Sequence, residues 1–436
     1  MAKKAGIKKL SELRAEKHLG TPRKIYSVPF RSDVLNLFTG GVKFGHVTEI
    51  SGNPGMFKST LLAEVAIHGL DTGAHVVVHD KERKLTESRF LSLGCKIANK
   101  ANPKFWYHED DFPDYVLTLE KMFEDMHEIW AGVRLDDLEQ LQNKFKEGKA
   151  TKAQQERYGH LEKKPKKATK KSLASWQKKI AEKLKSPAQL DDDDRSPIIW
   201  IVDSVTATPN ADEAIDPKTG KPNLAPTMAK NARVWSDLFR TCGFLDAKVA
   251  ALHIAQIRTA GIGSPRGAYK KAAVPTANEF YATNRIKIFP RSGGSLYRDP
   301  KDPSSVIIGN RAEGEEKIFQ VGSIIMASID KNLEGVSTNV PLYMLASTGT
   351  DVINSLFEFL SLRNLIVTKG GWYAFDDTFW PERAGETFRR EGFTEIYLKH
   401  GAELYKKLLS WKELIQHGRT SAPSEAGPAK QSASPR

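Results

Sequence analysis

The sequence predicts an α/β protein built on a doubly wound, mostly parallel sheet, and three observations carry that prediction. Three short, almost wholly apolar segments, AHVVVHDKE (74–82), PIIWIVDSV (197–205) and KVAALHIAQIR (248–258), each run into polar or charged residues. Such runs suit parallel strands buried on both faces, whose carboxyl ends open onto a ligand crevice. A glycine-bearing loop, GNPGMFKS (52–59), lies between a strand candidate at 47–51 and a segment of helical apolar spacing at 60–70. With 436 residues, 40% hydrophobic and 27% charged, the chain can also bury cores for two to four domains.

Other classes are excluded by what the sequence lacks. No apolar run approaches the roughly 20 residues of a membrane span, so no membrane association is expected. The basic start, MAKKAGIKKLSELRAEKHLG, has no apolar block of a secretory signal. Two cysteines, Cys95 and Cys242, cannot form a disulfide framework or a cysteine zinc site. A cytoplasmic protein is therefore expected.

The formal charge of +13, with a pI near 9.4, favours an anionic partner, and it is unevenly spread. Residues 144–185 hold 15 Lys and Arg against 4 Asp and Glu, and the arm through Lys24 holds 8 against 2. With few large apolar residues, the stretch 144–185, within an insertion at about 136–195, is read as unable to hold its own core, though its last part could be a charged helix. It serves either as a solubilising excursion or as an electrostatic attractor of DNA. The Pro-, Ser- and Ala-rich end, 418–436, is expected to be a disordered tail. No internal repeat is visible.

Strand, glycine-bearing loop, Lys-Ser and helix is the order a phosphate cradle needs. Gly52, Asn53, Pro54, Gly55, Met56, Phe57, Lys58, Ser59 and Thr60 would supply amides and a helix N-terminus to phosphate oxygens. Lys58 would place a cation on the β- and γ-phosphates of ATP, and Ser59 would hold Mg²⁺. The usual pattern has glycine before the lysine, where this chain has Phe57. At the following strand ends, Asp203 would contact Mg²⁺ directly or through water, and Glu82 would polarise a water for in-line attack. Gln256 could hydrogen-bond the γ-phosphate or that water and so report nucleotide state to the next loop, 259–277. That segment and 205–233 are long enough for connections without apolar periodicity to suggest function.

Together these residues resemble the RecA recombinase family, in particular its phage UvsX-type branch, over roughly 26–105, 112–130, 197–289 and 321–414. That branch also carries F-K-[ST] in its phosphate loop. DKE at 80–82, VDSV at 202–205, QIR at 256–258, FYA at 280–282 and NLIVTKGGWYAF at 364–375 match further blocks. The resemblance implies an ATP-dependent recombinase, a DNA-stimulated ATPase whose helical filament on single-stranded DNA pairs it with homologous duplex DNA. ATP and Mg²⁺ would lie between protomers. Glu82, Lys58 and Gln256 would be catalytic, and Lys331 would match the first of two family lysines reaching the neighbour's ATP, with Leu333 at the second position. Arg89 stands where the family has an aromatic near the adenine; its guanidinium plane could stack on the base or face solvent. In the second loop Arg258, Arg266, Lys270 and Lys271 could pair with DNA phosphates, and Ile262 could wedge between bases. Single-strand-binding and loader proteins are further implied partners, with the host cytoplasm or nucleoid as the setting for a phage-encoded member.

The expected organisation is a basic N-terminal helical arm for oligomerisation (1–25), a RecA-like P-loop ATPase and DNA-binding core (26–340) and a small α/β C-terminal domain (341–417). Two rivals share parts of this pattern. A hexameric helicase of the DnaB class has the same core, but a separate N-terminal domain is expected before it. A nucleotide-dependent DNA-binding filament protein without useful hydrolysis would not need Glu82, Asp203 and Gln256 together.

Overall fold

The computed structural model describes residues 26–417 apart from 100, 110–115, 166–168, 215–227, 242–244, 261–268, 273–280, 300–305, 310–318, 334 and 336. The arm (1–25) and tail (418–436) lie outside the described residues.

After β1 (Ser27–Val28), α1 (Asp33–Thr39) and β2 (Val42–Lys43), the chain enters the central sheet. The elements that build the site are β3 (Val47–Gly52), α2 (Lys58–Asp71), β4 (His75–Asp80), α3 (Glu87–Ser92) and β5 (Phe105–His108). Three helices follow: α4 (Leu119–Lys146), α5 (Lys152–Tyr158) and α6 (Lys170–Lys183). The chain then returns through β6 (Ile198–Asp203), α7 (Ala211–Ala214), α8 (Met228–Thr241) and β7 (Val249–Ala260). Next come β8 (Tyr269–Ala272), β9 (Ala282–Arg298), β10 (Val306–Ile308), β11 (Gln320–Lys331), β12 (Thr338–Leu345) and β13 (Gly349–Asp351). The last unit comprises α9 (Val352–Leu362), β14 (Ile366–Lys369), β15 (Trp372–Phe375), β16 (Thr387–Phe388) and α10 (Gly392–His417).

The eleven-stranded sheet runs β13-β12-β11-β9-β3-β7-β6-β4-β5, with β10 on β9 and β8 on β7. The block β9-β3-β7-β6-β4-β5 is parallel throughout. Beyond β9 the strands are antiparallel, so the predicted parallel sheet is its centre and not its whole width. Alternation along each parallel strand feeds two cores. Val76, Val78, Ile199 and Ile201 point into a cluster shared with α1, α2, α9 and α10. Val77, Trp200 and Val202 point to the other face, against Phe123 and Met126 of α4 and Trp235 and Phe239 of α8. Helices on both faces are the double winding the apolar runs predicted.

β12 spans residue 341 and pairs with β11, so the main sheet extends past the expected boundary of the C-terminal domain. The small antiparallel sheet β14-β15-β16 follows α9. Its Phe375 and Phe388, with the neighbouring Trp380, join the first core, so this unit is fused to the sheet by packing.

The lysine-rich insertion contradicts the expectation that it cannot hold a core. The first half of α4 lies on the sheet, and its second half supplies Leu138, Leu141 and Phe145 to a separate cluster with Tyr158, Trp176, Ile180, Leu184 and Leu190. Composition concealed this because the apolar residues are few but fall at helical spacing, 138, 141, 145 and 173, 176, 180, with lysines between them. Trp176 donates its indole N–H to the carbonyl of Glu162 at 2.8 Å. Arg134, 1% exposed, ties the lobe to the sheet by pairing with Asp246 and Asp137 at 3.0 Å and donating to the Ser196 carbonyl at 2.8 Å. Trp176→Ala is expected to cost the lobe about 3–5 kcal/mol. Hydrogen exchange should then accelerate through 138–190 while β3, β4 and β6 keep their protection.

Candidate functional site

The carboxyl ends of β3, β4, β6 and β7 lie side by side, and the loop after β3 crosses them. Gly52 ends β3 where an added Cβ would meet the Ile288 carbonyl oxygen of β9 at 2.7 Å, so glycine is required by the neighbouring strand. At Gly55, φ is 76° and a Cβ would meet nothing within 4 Å, so conformation and not crowding favours glycine. Lys58 and Ser59 are the first residues of α2, whose first-turn amides have no partner inside the helix. Phe57 caps that helix with φ 56°, in the left-handed region that the usual glycine enters freely, while its ring packs against the core below. The residue that departs from the common motif therefore keeps the backbone shape glycine would adopt.

Most of the predicted residues of the phosphate loop and strand ends converge on one cleft of about 310 Å³, with Gly52 and Asn53 behind its lining. It is lined by the loop from Pro54 to Thr60 and by Glu82, Lys84, Arg89, Asp203, Ile254, Gln256 and Ala346. Ser59 donates its hydroxyl to Asp203 Oδ2 at 2.5 Å, and Lys58 Nζ donates to the Asn53 carbonyl at 2.7 Å. Burial, aided by the nearby Lys84 ammonium, pulls Lys58 below the ordinary lysine range. Burial pushes Asp203 up to about 7, and the Asp80 and Glu82 carboxylates add to it against the opposing Ser59 hydrogen bond. Asp80 itself is raised by burial, although Leu85 N–H and the Tyr107 hydroxyl donate to it at 2.6 and 2.9 Å.

Glu82 lies two residues beyond β4, in the turn. Its Oε1 accepts from Ser204 Oγ and from Gln256 Nε2, each at 2.7 Å, while Lys84 pairs with Oε2. Burial pushes Glu82 upward, but these three donors outweigh it and the net direction is down, so Glu82 is ionised at neutral pH. The Asp203–Ser204 peptide is cis. Arg89, half-buried, donates to Thr60 Oγ1 at 2.7 Å and to the Ala346 carbonyl at 2.5 Å, which holds its guanidinium at the cleft wall.

Beyond Gln256, β7 does not become a loop at once. Ile257–Ala260 pairs antiparallel with Tyr269–Ala272, setting Arg258 opposite Lys271 and Thr259 opposite Lys270. Ile262 and Arg266 lie outside the described residues. Lys331 sits at the exposed end of β11, in register with Arg285, and does not line the cleft of its own chain.

The residues fit the expected metal. Ser59 and Asp203 are hard oxygen donors, and a buried carboxylate raised to about 7 beside two others is a site where a divalent cation relieves charge. A second group of ligand types, His79, His108 and Asp125, has other chemistry. Trp200 donates to His79 Nδ1 at 2.9 Å, which leaves the proton of the neutral ring on Nε2, 3.7 Å from Asp125, and Lys121 Nζ sits 3.0 Å from the same carboxylate.

Sequence reasoning missed Lys84, Ser204 and Ala346. Lys84 is one of many lysines, and only its position two residues after Glu82 set it apart; the Ala346 carbonyl carries no sequence signal. No protein-family model matches this chain, and no curated protein matches it. Among the described residues no helix is long and apolar enough to cross a membrane.

Two substitutions test the geometry. Phe57→Gly and Phe57→Ala lose the same ring packing, but only alanine retains a Cβ at positive φ. The glycine variant should be about 1 kcal/mol more stable in denaturant titrations. For Asp203, a folded value above the ordinary 3.8 means stability is fully present below about pH 4 and is lost as pH rises to about 7. Asp203→Asn should therefore melt higher than wild type at pH 8, by a few kcal/mol, with the advantage vanishing toward pH 4.

Proposed function

We propose that this chain is an ATP-dependent recombinase that forms a helical filament on single-stranded DNA and exchanges strands with homologous duplex. The observation that carries the proposal is the Glu82–Gln256 hydrogen bond. It joins the carboxylate best placed to orient a water to the strand that continues into the basic β7–β8 hairpin.

In this reading the first turn of α2 and the loop from Gly52 to Phe57 receive the triphosphate, and Lys58 turns from the Asn53 carbonyl toward its outer phosphates. Bound magnesium would neutralise charge on the phosphate oxygens, held by Ser59 directly and by Asp203 directly or through water. Glu82, ionised and half-buried, accepts a hydrogen bond from the attacking water and orients it. Gln256 can keep its bond to Glu82 or turn to a phosphate, and the two choices place the start of the hairpin differently. Arg258, Lys270 and Lys271, on the paired strands of that hairpin, would meet backbone phosphates of one strand. Lys331, exposed at the end of β11, would serve the nucleotide of an adjacent protomer, which makes ATP an adhesive between subunits.

The joint placement of Glu82, Asp203 and Gln256 around one cleft favours hydrolysis over the non-hydrolysing filament alternative. Lys58→Ala is expected to abolish ATP-dependent binding of single-stranded oligonucleotide in a gel-shift assay. Glu82→Ala should still bind ATP and DNA while phosphate release falls by at least about 100-fold, leaving persistent filaments. Joint-molecule formation between a single strand and homologous duplex separates strand exchange from helicase action. Its absence in wild type with ATP and Mg²⁺ would remove the recombinase reading.

A further inference from the structure

The lobe at 136–195 segregates its charges. Arg157, the only arginine between 144 and 185, is spent on the acidic run, pairing with Asp194 at 2.7 Å and with Asp191 and Asp193 at 3.4 and 3.6 Å. Asp192 pairs with Arg195 at 3.1 Å, and Asp194 also accepts from Gln154 and Tyr158. Thus the aspartates that follow the lysines in sequence are largely occupied on their own side of the lobe. Among the described lysines of the lobe, only Lys149, Lys179 and Lys183 pair with a carboxylate, Glu147 or Glu162.

Lys171 and Lys178 stand seven residues apart on α6, two turns along one exposed face opposite Trp176 and Ile180; exposed Glu182 is the one carboxylate on that face, and exposed Lys185 follows just past the helix end. At 1.5 Å per residue the first two ammonium groups are based about 10 Å apart. We infer that this face is a docking surface for the sugar–phosphate backbone of double-stranded DNA, separate from the nucleotide cleft and from the β7–β8 hairpin.

Two features select duplex phosphate over other polyanions. All exposed cations of the face are lysines, flexible point charges that attract phosphate without the fixed fork that reads a carboxylate or a base edge. The three aromatic side chains of the lobe, Phe145, Tyr158 and Trp176, are all buried, at 0, 2 and 4% exposure. Among the described residues no Phe, Tyr or Trp of the lobe is left to stack on unpaired bases, the contact that single-strand binders add to charge, and the exposed ring of His160 is tied to the Arg157 carbonyl at 2.8 Å. A surface offering charge alone recognises the duplex outside and ignores its sequence. That suits the capture of a duplex before homology is tested. The role of that duplex as the incoming homologue rests on the strand-exchange reading, whereas the phosphate contact does not.

The test uses the full chain, without nucleotide, and a fluorescent duplex oligonucleotide of arbitrary sequence titrated over a range of NaCl. Lys171→Ala, Lys178→Ala and Lys185→Ala combined should lower duplex affinity on the order of 10- to 100-fold near 0.1 M salt. The slope of log affinity against log salt should drop by about 2–3, near 0.9 per lost contact. The corresponding triple Lys→Arg variant should keep the wild-type slope. Alanine suits exposed helix, so matching melting curves verify folding. An unchanged affinity and slope in the alanine variant would overturn the inference. So would a variant that loses binding to poly-glutamate but not to duplex, since that face would then serve an acidic protein. Phosphate release is measured separately on the same preparations, so a chain without ATPase activity that still shows the slope change refutes the recombinase reading and leaves the docking surface standing.

Discussion

One carboxylate ties the working parts together. Glu82, in the turn after β4, is held by Ser204 after β6, Gln256 near the end of β7 and its own neighbour Lys84. Strands that pair in parallel are thereby cross-linked again at their carboxyl ends through a single anion. Removing negative charge from that point, or offering Gln256 a better acceptor, changes the relation between the strand ends without disturbing the sheet. A packed parallel sheet does not deform continuously, so a switch has to operate at its rim, where side-chain partners can be exchanged.

The electrostatics favour the same location. Asp80, Glu82 and Asp203 approach one another beneath the phosphate loop, and burial raises Asp203 and Asp80 while donors hold Glu82 ionised. Lys58 and Lys84 stand on the opposite side of the balance, and burial draws Lys58 down. Such an arrangement is costly to fold and, on the proposed reading, would be relieved by a polyanion with its divalent cation, which would bring both signs of charge at once.

Much of this was legible in the sequence because it depends on local rules. Apolar runs located β4, β6 and β7 to within a few residues, and the Lys-Ser pair located the start of α2. What was not legible depends on long-range geometry. Whether Phe57 could replace glycine depended on its φ and on a core position for its ring. The antiparallel strands beyond β9 and the fusion of the C-terminal unit follow from packing that composition does not encode. The lobe was misread because counting residues hides spacing: eight well-placed large side chains suffice, three of them from α4. Arg89 is tied to the cleft wall by the carbonyl of Ala346, 257 residues away, a contact no local pattern signals.

The central claim is that occupancy of the cleft is transmitted through Glu82 and Gln256 to the basic hairpin. Hydrogen exchange of the wild-type chain, with and without a slowly hydrolysed ATP analogue and Mg²⁺, tests it most directly. The account predicts altered protection in two places together, the loop 52–60 and the paired segments 256–260 and 269–272. A change confined to the loop, or no change at either place, would contradict it.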